Sequence, residues 1–121
     1  MRCEFIESPL FTKQWFESGL DDEDLNELQL IILSDPESGI IMEGTGGLRK
    51  IRFACRDKGK SGGVRVCYVD FAFFEKVFLL RVFSKSEKSN LSQDERNQIK
   101  KTVKQLKEEV AGNWRNNEQR V

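Results

Sequence analysis

Residues 44–65, GTGGLRKIRFACRDKGKSGGVR, predict a β-strand, a hairpin loop rich in lysine and glycine, and the start of a second strand. From Leu48 to Cys55 the side chains alternate between two faces, because successive residues of a strand point to opposite sides of the sheet. Lys50 and Arg52 then share one face, and Ile51 and Phe53 share the other. This alternation predicts a strand that gives its apolar face to a core and its cations to the opposite surface.

The residues around this hairpin predict the remaining elements. A short strand at residues 3–7 precedes a helix that begins at Ser8-Pro9 and ends at Gly19. A second helix follows the acidic residues 21–24 and ends before Asp35, and residues 37–47 form a loop. Strands at residues 64–71 and 77–83 then lead to a long helix, which starts with a Ser-x-x-Glu capping box at residues 92–95.

This order predicts an α+β fold, a small antiparallel β-sheet with two N-terminal helices and a C-terminal helix. We expect a single domain at residues 1–111. After Gly112 the sequence has no apolar period, so residues 112–121 are predicted to be a disordered tail.

The charges are strongly separated along the chain. Residues 1–46 carry two basic and eleven acidic residues, whereas residues 47–121 carry eighteen basic and nine acidic ones, so net charges of −9 and +9 cancel to zero overall. A basic half of this kind points to an anionic partner. A run of charges is by itself often only a solvated surface, but Arg52, Arg65 and Arg81 lie inside otherwise apolar strands, which solvation does not require. Arginines in that setting are suited to holding phosphates, and we therefore predict nucleic-acid binding.

Several kinds of chemistry are excluded or disfavoured by composition. The chain has no histidine, which removes Ser-His-Asp and Cys-His nucleophiles and histidine metal sites, and its three cysteines have no metal-binding spacing. Ala54 and Arg49 stand where phosphate-binding and dinucleotide-binding loops require glycine. We expect no metal and no cofactor. No apolar run is long enough to cross a membrane, and we place the protein in the cytoplasm.

The combination GTGGLRKIRFACRDKGKSGGVRVCYV, VFLLRVFSKSEKSNLS and a long lysine-rich helix resembles the RelE/HigB toxins of bacterial type II toxin–antitoxin systems. The resemblance extends from about Phe5 to Val110. It implies a compact microbial-ribonuclease-like sheet, a ribosome-dependent mRNA endonuclease activity that inhibits translation, and two partners, a cognate antitoxin and the ribosome with its mRNA.

The family's catalytic groups are transferred only to matching positions. The resemblance implies that the catalytic residues are Lys50, Arg52, Arg65 and Lys85. Ser86 stands where some members of the family have arginine. A tyrosine of some relatives falls near Leu91, so this chain does without it, replaces it with Tyr68 or another group, or cleaves slowly. The further residues that we expect to contact RNA are Arg49, Arg56, Lys58, Lys60, Tyr68, Arg81 and Lys88.

In the reaction that the resemblance implies, a ribose 2′-hydroxyl attacks the adjacent phosphorus without a metal ion. We expect Arg65 to clamp the phosphate and Lys50 to act as the general base, since clustering and partial desolvation favour neutral lysine. Arg52 and Lys85 would stabilise charge or protonate the leaving group. Two alternatives stay open: an RNA- or ribosome-binding translation inhibitor that does not cut, and a DNA-binding accessory protein, which the lack of a recognisable helix-turn-helix disfavours.

Overall fold

The structure, a computed structural model, describes residues 3–54, 63–84 and 91–119. In chain order its elements are β1 (Glu4–Glu7), α1 (Pro9–Glu17), α2 (Asp22–Ser34), β2 (Ile40–Ile41), β3 (Leu48–Phe53), β4 (Val64–Phe71), a 3₁₀ turn (Ala72–Phe74), β5 (Lys76–Ser84) and α3 (Gln93–Gln119). The α+β class with two N-terminal helices and a C-terminal helix is therefore confirmed.

The five strands form one sheet in the order β1-β5-β4-β3-β2. Neighbours from β2 to β5 are antiparallel, as predicted, but β1 runs parallel to β5, so the sheet is mixed. The sequence of a four-residue strand does not reveal its direction, because the direction depends on a partner about seventy residues away, as in the register of Glu4 with Lys76. The loop predicted at residues 37–47 also contains β2, which is too short to show an alternating pattern.

Local signals set the helix ends where the sequence predicts them. The Ser8 hydroxyl accepts a hydrogen bond from the Phe11 amide at 3.0 Å, and a proline occupies the first turn of α1. Past the end of this helix, Gly19 adopts a positive φ of 82°, which glycine tolerates at no steric cost. Asp21 and Asp24 exchange side-chain and backbone hydrogen bonds at the start of α2.

The sheet is covered on both faces by apolar side chains. One core joins α1 and α2 to the sheet, and its largest members include Phe11, Trp15, Phe53 and Tyr68. The second core joins α3 to the opposite face through Leu48, Cys67, Val69, Phe83, Leu91, Ile99 and Val103. The central strands are thus enclosed by two layers, as the nearly continuous apolar sequence of β4 predicts.

The predicted disordered tail is wrong for residues 112–119, because α3 continues without interruption to Gln119. The Trp114 ring contacts Phe73 and Phe74, with ring centroids 6.4 and 5.9 Å apart. A glycine inside a helix costs about 1 kcal/mol relative to alanine, and this aromatic contact offsets the cost at Gly112. Residues 120 and 121 lie outside the described part of the chain. No helix within the described ranges is long and apolar enough to span a membrane.

Tyr68 fixes the loop between α2 and β2 from inside the core. Its side chain has no exposed surface, and its hydroxyl donates to the Pro36 carbonyl at 2.9 Å and accepts from the Gly39 amide at 3.0 Å. A Cβ atom at Gly39 would lie 2.8 Å from the same hydroxyl, so the backbone approaches the tyrosine more closely than any other residue type allows.

We predict that Tyr68→Phe lowers the free energy of unfolding by about 1–3 kcal/mol, because it leaves a buried backbone N–H without its acceptor. Urea denaturation measures this loss. The control is Thr12→Val, which removes a half-buried hydroxyl that donates to Glu7 and should cost less. Equal losses in the two variants would contradict this account of the loop.

Candidate functional site

Strand register places four cations in two adjacent rows across β3, β4 and β5. One row aligns Lys50 with Cys67 and Cys67 with Arg81. The next row aligns Arg52 with Arg65 and Arg65 with Phe83. Directly opposed residues have Cβ atoms about 5 Å apart, so three strands bring these side chains within reach of one ligand.

All four cations lie on the face of the sheet that α3 covers. Lys50 and Arg52 alternate in phase with Leu48, Arg65 is in phase with Cys67, and Arg81 is in phase with Phe83. Leu48, Cys67 and Phe83 all belong to the core beneath α3. Arg52 is exposed, and the other three cations are half-buried. The prediction that Lys50 and Arg52 share a face opposite Ile51 and Phe53 is confirmed.

The Cys67 thiol lies between two of these cations but is not a nucleophile at neutral pH. It has no exposed surface, and its Sγ is 4.0 Å from the Met42 Sδ. Burial raises the pKa of Cys67 to about 12, while the nearby charges of Lys50 and Arg81 oppose the rise. Since the thiolate is the reactive form, Cys67 acts as a small apolar residue under the cation rows.

Arg81 is tied to the first turn of α3. One of its guanidinium nitrogens, Nη1, lies 3.5 Å from Oε2 of Glu95. The other carboxylate oxygen of Glu95, Oε1, accepts a hydrogen bond from the Ser92 amide at 3.0 Å, and the Ser92 hydroxyl accepts one from the Glu95 amide at 3.2 Å. The sequence identifies Glu95 as a capping residue, but its contact with Arg81 depends on how α3 packs on β5 and has no sequence signal.

Two residues expected at the site lie elsewhere. Arg49 alternates to the other face of β3, and its Nη1 donates to the carbonyls of Glu37 and Gly39 at 3.0 and 2.8 Å. Tyr68 is buried in the core beneath α1 and α2, so its ring offers no surface to RNA and cannot replace the tyrosine of relatives near the cations. We assign both residues to the structure of the 36–39 loop. Leu91 is also buried, with 6% of its surface exposed.

The remaining predicted residues lie outside the described part of the chain. They fall in two segments, 55–62 and 85–90, and comprise Arg56, Lys58, Lys60, Lys85 and Lys88. The first segment joins β3 to β4 and the second follows Ser84, which is in register with Val64. The described residues next to these segments, Ala54, Gly63 and Ser84, adjoin the end of the sheet that carries Arg52 and Arg65.

Other charged side chains lie on both sides of the sheet. The acidic first turn of α2, Asp22 to Asp24, belongs to the helical layer on the opposite side of the sheet from the four cations. Exposed lysines on α3 are Lys100, Lys101, Lys104 and Lys107. Within the residues that the structure describes, no group of three or more potential metal ligands is found.

The raised pKa of Cys67 predicts a pH dependence of stability. The ordinary pKa of this thiol is 9.0, so between pH 9.0 and about 12 the folded protein keeps the proton whereas the unfolded chain loses it. The stabilisation is therefore complete below pH 9.0 and is lost as the pH rises toward about 12. Between pH 7.5 and 10.5 the wild type should lose about 2 kcal/mol more unfolding free energy than Cys67→Ala. Urea denaturation at both pH values measures the difference, and parallel losses would show that the thiol titrates normally.

Comparisons with known proteins give the family of the chain and a solved structure of similar fold. A model of the family described as the RelE toxin of the RelE/RelB toxin–antitoxin system matches residues 9–115. A solved structure of the E. coli toxin RelE in the free state, with two arginines replaced by alanine, is similar in fold with a TM-score of 0.50. The alignment is 21% identical and covers 71% of this chain and 86% of that one. The family match includes both cation rows and the first turn of α3, and the chain belongs to the RelE toxin family.

Proposed function

We propose that this protein is a ribosome-dependent mRNA endonuclease that inhibits translation as the toxin of a type II toxin–antitoxin system of the RelE/HigB kind. One observation supports this most directly: Lys50, Arg52, Arg65 and Arg81 converge from three adjacent strands on one face of the sheet. Cationic side chains at this density suit a phosphodiester that gains negative charge as it reacts.

The proposed reaction uses a nucleophile that RNA itself contains. The 2′-hydroxyl of the ribose loses its proton to a base and forms a bond to the adjacent phosphorus. The bond from phosphorus to the 5′-oxygen of the next nucleotide breaks, and that oxygen takes up a proton. The products are a 2′,3′-cyclic phosphate and a 5′-hydroxyl, and the protein supplies orientation, charge stabilisation and proton transfer.

We assign roles by position in the two rows. Arg65 lies on the central strand β4 next to Arg52, so it is our candidate for a bidentate phosphate clamp. Lys50 lies in the adjacent row, aligned with Cys67, and is half-buried; it is our candidate general base. Arg52 and Lys85 stabilise the developing charge or protonate the leaving oxygen. Arg81 and the cations of the two flanking segments, Arg56, Lys58, Lys60 and Lys88, extend the contact along the RNA.

The composition of the chain offers a reason for dependence on the ribosome. There is no histidine, and the single tyrosine is buried away from the cations, so the site lacks two side chains that commonly transfer protons. Such a site gains most from a substrate already held with its 2′-hydroxyl in line with the scissile bond. The ribosome supplies that geometry in this proposal, and the exposed lysines of α3 contact ribosomal RNA.

As a member of the RelE toxin family, the protein has an antitoxin as its partner. We propose that the antitoxin blocks access of the cation face to the ribosome, either by covering it or by its bulk. The site of action is the cytoplasm, where the translating ribosome is.

A second function is favoured by one observation. Leu91, near the position where some relatives have a tyrosine, is part of the core, and the single tyrosine of this chain, Tyr68, is buried. The cation face therefore has no tyrosine. A protein with this face and weak acid–base groups would occupy RNA on the ribosome and block translation without cutting.

Primer extension on mRNA in programmed ribosomes distinguishes the two functions. The wild type should produce cuts at discrete positions only when ribosomes are present. Lys50→Ala and Arg65→Ala should each reduce the rate of cutting by about 100-fold or more, because they remove a proton-transfer group and a phosphate contact. Cosedimentation should show that both variants still bind ribosomes.

The matched control is Lys13→Ala, which removes an exposed lysine from α1 on the other side of the sheet and should cut like the wild type. Inhibited translation without any cut ends in the wild type would favour the non-cleaving inhibitor. Cuts that persist in Arg65→Ala at the wild-type rate would remove this arginine from the site.

A further inference from the structure

We propose that Glu95 is a positioning residue of the site, which holds the guanidinium of Arg81 in the cation face through an ion pair anchored in the first turn of α3. The inference rests on the proposed function. It adds a carboxylate to a site otherwise described by its cations.

The contacts of Glu95 make it a bridge between two elements. Oε1 accepts from the Ser92 amide at 3.0 Å and closes the capping box of α3, and Oε2 lies 3.5 Å from Nη1 of Arg81 on β5. The backbone of Glu95 is itself fixed by the Ser92 hydroxyl at 3.2 Å. A carboxylate whose other oxygen and backbone are both held has little freedom to follow a moving arginine, so the arginine is the partner that becomes ordered.

The strand register explains why the position of Arg81 matters. Arg81 occupies the same cross-strand row as Lys50, with only Cys67 between them. Cys67 is buried and too short to contact RNA above the row, so the long side chains on either side of it are the ones that reach a ligand. An arginine has several rotatable bonds, and without a fixed partner it would sample positions away from this row.

The partial exposure of the pair fits contact with RNA. The side chains of Arg81 and Glu95 are 24% and 35% exposed, so the guanidinium is both held and accessible. A guanidinium has five N–H donors, more than a single carboxylate oxygen engages, and its planar fork suits a phosphate. The carboxylate, however, also repels a phosphate nearby. Glu95 is therefore expected to favour the reactive geometry at some cost in RNA affinity.

The chain offers a substitution that separates capping from ion pairing. Glutamine serves as well as glutamate at the third position of a capping box, so Glu95→Gln keeps the hydrogen bond to Ser92 but removes the charge that pairs with Arg81. A matched control is Glu4→Gln, because Glu4 pairs with Lys76 on the same strand β5, in the other half of that strand from Arg81. Each variant removes one carboxylate charge from an ion pair to β5.

Two measurements test the inference. The heteronuclear NOE of the Arg81 Nε–H group, recorded on the folded protein without RNA, reports whether this side chain is ordered. Steady-state cleavage of ribosome-bound mRNA gives kcat and KM. We expect Arg81 to be ordered in the wild type and in Glu4→Gln and mobile in Glu95→Gln. We also expect kcat to fall about tenfold in Glu95→Gln alone, with KM unchanged or lower. A merely structural role would not give this division between the two constants.

A double-mutant cycle decides whether Glu95 acts through Arg81. In an Arg81→Gln background, Glu95→Gln should produce no further loss of kcat. Independent losses, an unchanged NOE in Glu95→Gln, or an equal fall of kcat in Glu4→Gln would each overturn the inference. A wild type that makes no cuts would instead overturn the proposed function, and the NOE would still decide whether Glu95 orders Arg81.

Discussion

The register of β3, β4 and β5 is the constraint on which the site depends. Side chains alternate along a strand with a period of two, so a slip of one residue in β4 would move Arg65 into the core beneath α1 and α2 and expose Val64 and Val66. Apolar side chains on both faces prevent that slip, because Phe53 and Tyr68 fill one core while Leu48 and Cys67 fill the other. The packing of the cores therefore also places the cations.

The cation face and the core beneath α3 are parts of the same surface. Cys67 is buried between Lys50 and Arg81 in one row, and Phe83 is buried beside Arg65 at the end of the other. Leu91 and Ile99 belong to the same core. A buried thiol with a raised pKa stays neutral there, so it adds no negative charge to the face. Glu95 pairs with Arg81, one of the four cations, and it also caps the helix that covers this face. Folding of α3 and ordering of Arg81 are thus linked.

In the proposed function, the protein contributes charge and geometry more than acid–base strength. The absence of histidine and the burial of Tyr68 leave lysine and arginine as the groups nearest a bound phosphate. Arginine does not lose its proton in proteins, so it stabilises charge and orients RNA without acting as a base. Because the protein supplies little acid–base chemistry of its own, the proposed enzyme needs the ribosome to hold the RNA in reactive geometry.

The sequence by itself determined the class of fold, both N-terminal helices, the three long strands and the face shared by Lys50 and Arg52, because caps, turns and alternation are local signals. It also separated the acidic from the basic half. It misassigned residues 112–119, where α3 continues and Trp114 contacts Phe73 and Phe74. It did not reveal that Arg49 hydrogen-bonds to the carbonyls of Glu37 and Gly39 on the other face of the sheet. Only the tertiary structure decided that β1 is parallel to β5, that Tyr68 belongs to the core and that Glu95 meets Arg81. Each of these depends on a contact between elements distant in the chain, and such contacts are fixed by packing rather than by local sequence.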